Sequence, residues 1–198
     1  RYARERNVAG KIELITNGLL LNPQLIKDMP QYLDRIILSV EGLSSKDYLN
    51  VCQTKVDIQM LLGNLALLFA NKKKCKVHVK IHSEAVASQP REKKFFKMFG
   101  DYCDQIYIEN IAPMFPEVKV PMPIRGFRFK GAVHKFESCV QIFKSLQVQA
   151  NGDVVPCCVD WQRYNLLGNI LQTSLFHLWH SKKLRTLQIK HLSGGKQK

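Results

Sequence analysis

The chain is 198 residues long, 45% hydrophobic and 23% charged, the balance of a globular protein of one domain or one and a half. No apolar run approaches the roughly 20 residues that cross a bilayer, which argues against a membrane span; the longest, MLLGNLALLFA over 60–70, suits a helix buried on most sides. Thirty Lys and Arg against sixteen Asp and Glu give a formal net charge of +14, which fits either an anionic partner or a heavily solvated surface.

The chain begins at Arg1, and RYARERNVAGK lacks the apolar core of a signal peptide, so we expect an internal piece of a longer, cytoplasmic protein. KIELITNG (11–18) predicts a strand that stops at Asn17-Gly18. NPQLIKDMPQYL (22–33) predicts a helix with Asn22 as N-cap and Pro23 at its first position. RIILSVEG (35–42) reads as a second strand closed by a glycine, and DIQMLLGNLALLFANKK (57–73) as a helix that Asp57 can cap. KVHVKIHS (76–83) gives a third strand, REKKFFKMFGDYC (91–103) an amphipathic helix, and QIYIENI (105–111) a fourth strand. Strands alternating with helices imply crossovers and a parallel sheet, so residues 1–111 are expected to be α/β. The lysine-rich runs NKKKCK (71–76) and PREKK (90–94) fall at helix ends, and no aromatic ladder interleaves them. Solvated lysines are therefore preferred to a nucleic-acid surface.

After Ile111 the texture changes. APMFPEVKVPMPIRGFRFKGA (112–132) holds Pro113, Pro116, Pro121 and Pro123 without a clean period, and residues 112–138 read as a connector. A smaller α+β unit follows over 139–198. In it SLQVQANGDVVPC suggests a β-hairpin turning at Asn151-Gly152, and SLFHLWHSKKLRTLQIKHL (174–192) one helix with Ser174 as N-cap.

Six cysteines, at 52, 75, 103, 139, 157 and 158, are spaced too irregularly for a disulfide framework, so core thiols or metal ligands are expected. For the adjacent pair Cys157-Cys158 the residues alone leave disulfide, zinc, iron–sulfur and apolar-filler roles open. Ligands of parallel α/β sheets bind at the carboxyl ends of the strands. Those ends are Thr16-Asn17-Gly18, Ser39 to Gly42, Ile81-His82-Ser83 and Glu109-Asn110, whose polar groups suit a ribose, an amine or a carboxylate; simple strand termination explains the same residues. His134, His177, His180 and His191 share no zinc-ligand spacing, and Trp161 and Trp179 are expected as core or staple residues rather than substrate platforms.

ELITNGLLLNPQLIKDMPQYLDRIILSVEGLSSKDY resembles the middle of a radical S-adenosylmethionine enzyme. CVQIFKSLQVQANGDVVPCCVDWQRYNLLGNILQTSLFHLWHSKKLRTLQIKHLSGG resembles the auxiliary-cluster domain of many such enzymes, called SPASM or, in its shorter form, twitch. The markers are TNG at a strand end, SVEG, a cysteine followed by G-x4-C, then LGN and a late LW.S..L..L...H.

The resemblance implies the C-terminal four strands of a partial (β/α)6 radical SAM barrel joined to a small α+β SPASM/twitch domain. Thr16, Asn17 and Gly18 would line the S-adenosylmethionine side of the mouth, and Ser39 would contact the cofactor's methionine or ribose portion with Glu41 nearby. Related enzymes often carry an arginine a dozen residues after that serine; the matching place here is near Val51-Cys52, with Lys55 the nearby cation. Cys139 and Cys157 match the first two ligands of an auxiliary [4Fe–4S] cluster; Cys158 lies on the opposite face of an extended chain from Cys157 and is expected to be a packed thiol rather than a ligand. The family's C-x-x-x-C-x-x-C loop and a later C-x-x-C pair would lie outside this segment, which alone would be inactive. His82, at a strand's carboxyl end, and Asp160, close to Cys157, are candidates for catalytic work, though neither is assigned as the base. Implied partners are a small-molecule, sugar or peptide substrate and a cellular reductant such as flavodoxin or ferredoxin. Two alternatives stand beside this: a basic nucleic-acid-binding module, and a catalytically inactive zinc-binding or scaffold relative.

Overall fold

The computed structural model describes residues 1–109 and 139–193. The connector 112–138, with His134, and the strand end at Asn110 fall outside the described residues. The chain divides into two compact units, Arg1–Ile111 and Ala112–Lys198.

In the first unit a short helix, α1 (Tyr2–Glu5), precedes a four-stranded sheet of β1 (Glu13–Thr16), β2 (Arg35–Val40), β3 (Lys76–His82) and β4 (Gln105–Glu109). The strands pair in sequence order and all run parallel, so each return is made by helical crossovers. These are α2 (Pro23–Asp28), α3 (Ser45–Cys52) with α4 (Ile58–Asn71), and α5 (Gln89–Phe99).

Local chemistry sets the helix ends. Asn22 accepts from the Leu25 amide, and Asp57 accepts from the Gln59 and Met60 amides, so both expected caps are in place. The expected helix 22–33 is broken, because Pro30 lacks an amide proton and its ring crowds the preceding turn. Residues Met29–Tyr32 continue instead as a 3-10 turn.

Alternation along the strands sorts the side chains onto two faces. Ile36, Leu38 and Val40 of β2 and Val77, Val79 and Ile81 of β3 are buried together with Ile26, Leu61, Leu65, Leu68, Phe95 and Phe99 of the helices. The opposite face carries Arg35, Ile37 and Ser39 beside Lys76, His78, Lys80 and His82. His78 is buried there, and burial, followed by the nearby Arg35 charge, pushes its pKa down, favouring the neutral imidazole.

Asp104 ties the amino-terminal ends of β3 and β4 to α4. One carboxylate oxygen accepts from the Val77 amide at 2.8 Å, and the other meets Lys72 Nζ at 2.6 Å and Lys76 Nζ at 3.6 Å. Burial alone would raise this carboxyl's pKa, but the Lys72 ammonium and the Val77 amide outweigh it and hold the value below the ordinary range. A depressed carboxyl contributes stability that is present above the unfolded pKa of about 3.9 and lost as pH falls through the folded value. Asp104→Asn is therefore expected to flatten the loss of stability between about pH 5 and pH 2, read from denaturant midpoints; an unchanged acid slope would show that the carboxylate contributes nothing there.

The second unit, taken by itself, holds a three-stranded antiparallel sheet of β5 (Gln147–Val148), β6 (Asp153–Val155) and β7 (Gly168–Asn169), then helices α6 (Leu175–Trp179) and α7 (Lys182–Leu192). The expected hairpin is present, with Gln147 opposite Val155 and Val148 opposite Val154. Gly152, at φ +87°, makes its turn in a region that side chains disfavour. The single helix expected over 174–192 is two: Ser174 caps the first through the His177 amide, and Ser181 starts the second by accepting from the Leu184 amide. Val154, Leu167, Leu178 and Leu184 form its buried cluster among the described residues, with Leu146 and Trp179 against it. So small a core ordinarily needs a disulfide, a metal or a partner to hold it.

Candidate functional site

Two groupings deserve the name of site, one in each unit. In the first, the carboxyl ends of β2 and β3 bring Ser39, Glu41, Lys80 and His82 into one neighbourhood. Ser39 is the register partner of Lys80, and Lys80 that of Tyr107. Lys80 Nζ lies 2.5 Å from Glu109 Oε2, and His82 Nε2 lies 3.6 Å from Glu41 Oε2. The Glu41 amide donates to the Tyr48 hydroxyl at 3.2 Å; Tyr48 is fully buried, and that burial pushes its pKa up.

The other ring nitrogen of His82 is also engaged. Nδ1 accepts a hydrogen bond from the Ala85 amide at 3.2 Å, so in the neutral ring the proton resides on Nε2. His82 therefore presents a donor toward Glu41, whereas a general base needs a lone pair there. His82 Nε2 and Ser83 Oγ are buried without a hydrogen-bond partner among the described residues. A buried polar atom left unpaired costs about 1–3 kcal/mol, and a polar ligand group at this end of the sheet would relieve that cost.

Thr16, Asn17 and Gly18 close β1. Thr16 Oγ1 accepts from the Gly18 amide and Asn17 Oδ1 from the Leu19 amide, both at 3.1 Å, so these side chains shape the turn. Gly42, next to Glu41, is held against α3 so closely that an added Cβ would lie 2.3 Å from Asp47 Cβ. Asp47 in turn accepts from the Leu43 amide at 2.8 Å.

In the second unit Cys139 and Cys157 line one cavity of about 280 Å³ together with Ile142, Asp160, Leu187 and His191. The hairpin and the turn after β6 carry Cys157 back to this place, and the Cys139 amide donates to His191 Nδ1 at 3.5 Å. Burial pushes the Cys157 thiol up, with Cys158 and Cys139 adding smaller contributions in the same direction. Asp160 supplies bracing: its two oxygens accept from the Tyr164 and Asn165 amides at 3.0 and 2.9 Å. Cys158 is exposed and Trp161 is 57% exposed, against the packed places expected of them. Each sits in the turn that follows β6, where alternation no longer dictates burial. All six cysteines are free thiols, and no group of three or more His, Cys, Asp or Glu able to hold a metal ion is found among the described residues. Both thiols reach the same cavity.

Residues 139–197 match the family model of SPASM, an iron-sulfur cluster-binding domain. This segment is similar to SPASM domains. The SPASM portion of the resemblance in the sequence thus stands, and the match begins at Cys139. No curated protein matches the chain. Among solved structures the chain is similar to a crystal structure of selenomethionine BtrN in an open conformation, at 12% identity and a TM-score of 0.33, covering 89% of this chain and 75% of that one. It is also similar to BtrN in complex with AdoMet and 2-DOIA, at 13% identity and a TM-score of 0.35, covering 88% and 75%. Likenesses this distant establish no function. Among the described residues, no helix is long and apolar enough to cross a membrane.

Sequence reasoning missed Lys80, Asp47, Arg91 and the part played by His191. Alternation along 76–82 would have revealed Lys80, which shares a face with His82. Asp47 stands at capping spacing from Ser44, whereas Arg91 and His191 meet partners distant in the chain, and no local pattern marks them.

Proposed function

We propose that this chain is part of a radical S-adenosylmethionine enzyme whose SPASM domain binds an auxiliary [4Fe–4S] cluster through Cys139 and Cys157. In this proposal the parallel sheet forms the last four strands of a partial (β/α)6 barrel. The observation that supports it most is the SPASM match over 139–197, together with the one cavity that both thiols line. Thiolates are soft, strongly donating ligands that suit iron, and a four-iron cluster takes further ligands beyond these two.

At the sheet's carboxyl end, Ser39 and Glu41 would orient S-adenosylmethionine, Thr16 to Gly18 would line its mouth, and the orphaned polar atoms of His82 and Ser83 would gain partners. Bound there with its own cluster, the cofactor would supply hydrogen abstraction by a 5′-deoxyadenosyl radical. The protein's part is to position the substrate and exclude water. The substrate is a small molecule, sugar or peptide, the reductant a flavodoxin or ferredoxin, and the compartment the cytoplasm. The SPASM site would serve electron transfer or substrate binding.

The test is anaerobic reconstitution of the complete protein with iron and sulfide, followed by reduction in the presence of S-adenosylmethionine. Release of methionine and 5′-deoxyadenosine is expected. A protein that loads its clusters and releases neither would overturn the enzyme reading, and one that takes up zinc in place of iron would favour a catalytically inactive relative.

A further inference from the structure

Arg91 stands where a helix least favours a cation. α5 opens at Gln89 with Pro90 beside it, so Arg91 lies in the first turn, where the helix dipole repels positive charge. Side chains on a helix lean toward its N-terminus, and the guanidinium reaches back over the turn after β3. There Nε donates to the Ala85 carbonyl at 2.7 Å, and Nη2 pairs with Asp47 Oδ2 at 2.9 Å.

Both partners lead back to the candidate site. Asp47 holds the Leu43 amide and packs against Gly42, and so anchors the loop that carries Glu41. Ala85, which is buried, donates its amide to His82 Nδ1 and so decides which nitrogen of that ring carries the proton. One side chain thus ties the loop after β2 to the turn after β3. Glu41 and His82, the groups that face each other at 3.6 Å, belong to those two segments.

We propose that Arg91 is a positioning residue which, by gripping Ala85 and Asp47 at once, keeps His82 in its Nε2–H tautomer with that hydrogen facing Glu41. Without the grip on its carbonyl, Ala85 is free to turn its amide away, and Nδ1 loses the donor that excludes a proton from it. The ring then samples both tautomers, and the Nε2 hydrogen no longer faces Glu41 in every molecule. The use of this pair in binding S-adenosylmethionine rests on the function proposed above; the tautomer does not.

Nitrogen-15 spectra of the histidines in the intact protein, recorded at alkaline pH, test the proposal. His82→Asn identifies the His82 signals by their loss. In the wild type, His82 is expected as the pure Nε2–H form; in Arg91→Gln its two nitrogens should shift toward the averaged values of mixed tautomers, with the far-ultraviolet spectrum unchanged. Arg91→Lys keeps a charge near Asp47 but cannot grip both partners, and should give an intermediate shift even if the glutamine variant folds poorly. An Nδ1–H ring in the wild type, or identical His82 signals in the wild type and the lysine variant, would overturn the proposal. The same variants should bind S-adenosylmethionine about tenfold more weakly. A wild type that binds none would count against the proposed function while leaving the tautomer result standing.

Discussion

On the proposed function, replacing Cys157 by serine in the complete, reconstituted protein is expected to lower iron from about eight atoms per chain to about four, because one of the two proposed four-iron clusters would be lost. Cys139→Ser should do the same. Serine keeps the size of the side chain but replaces a soft, polarizable sulfur by a hard hydroxyl that remains protonated near neutrality, and such a group does not compete for iron that prefers thiolate. The control lies one residue away. Cys158 is exposed and does not line the cavity that holds Cys139 and Cys157, so Cys158→Ser should leave the iron count unchanged. Cys75 is a second control, a buried thiol packed among the aliphatic side chains of the first unit. If Cys157→Ser keeps all its iron, the pairing of these thiols in one cavity has no metal-binding meaning. If Cys158→Ser loses iron, the ligand has been assigned to the wrong member of the adjacent pair.

The structure also shows why that choice was difficult from sequence. In an extended chain two neighbours point to opposite faces, which led to the expectation that Cys158 would be packed away from Cys157. β6 ends at Val155, however, and the chain is already turning when it reaches the two cysteines. The Cys157 carbonyl accepts from the Asp160 amide, closing that turn, and the side that is not the cavity is solvent. Alternation holds only to the end of the strand, two residues before Cys157. Asp160 was similarly singled out for its closeness to Cys157, whereas its carboxylate is occupied by two backbone amides.

More of the first unit was legible. Its four strands and the helix over 58–71 follow from period and caps, which are properties of a few adjacent residues. The helix Ser45–Cys52 was not read, although Ser44 and Asp47 stand at capping spacing and the Asp47 amide does donate to Ser44 Oγ. Its exposed Leu49 and Val51 and single buried residue, Tyr48, give no apolar stripe to notice. The brace through Arg91 was beyond reach for another reason: its partners lie on α3 and on the turn after β3, and only the folded sheet brings those together. The polar strand ends, by contrast, were found because the topology rule for parallel sheets converts chain order into a location.

Phe95→Ala is expected to destabilise the protein by about 3–5 kcal/mol, the range for removing a large buried side chain when the surroundings cannot fully collapse. Phe95 is fully buried on the core face of α5, with its ring centroid 5.6 Å from that of Phe99 and 5.4 Å from that of Phe96. It belongs to the cluster that joins α5 to the helix-facing side of the sheet. The comparison that isolates burial is Phe96→Ala, which removes the same atoms from the next position of the same helix. Phe96 is 43% exposed, so much of its ring is already in water, and its loss should cost about 1 kcal/mol. Denaturant midpoints of the two variants decide the matter. Equal losses would mean that Phe96 is buried in the intact protein by something outside the described residues, and small losses in both would mean that α5 does not pack on the sheet through Phe95. The expected asymmetry also bears on Arg91, since α5 can position the Ala85 turn only if Phe95 and Phe99 first fix the helix against the strands.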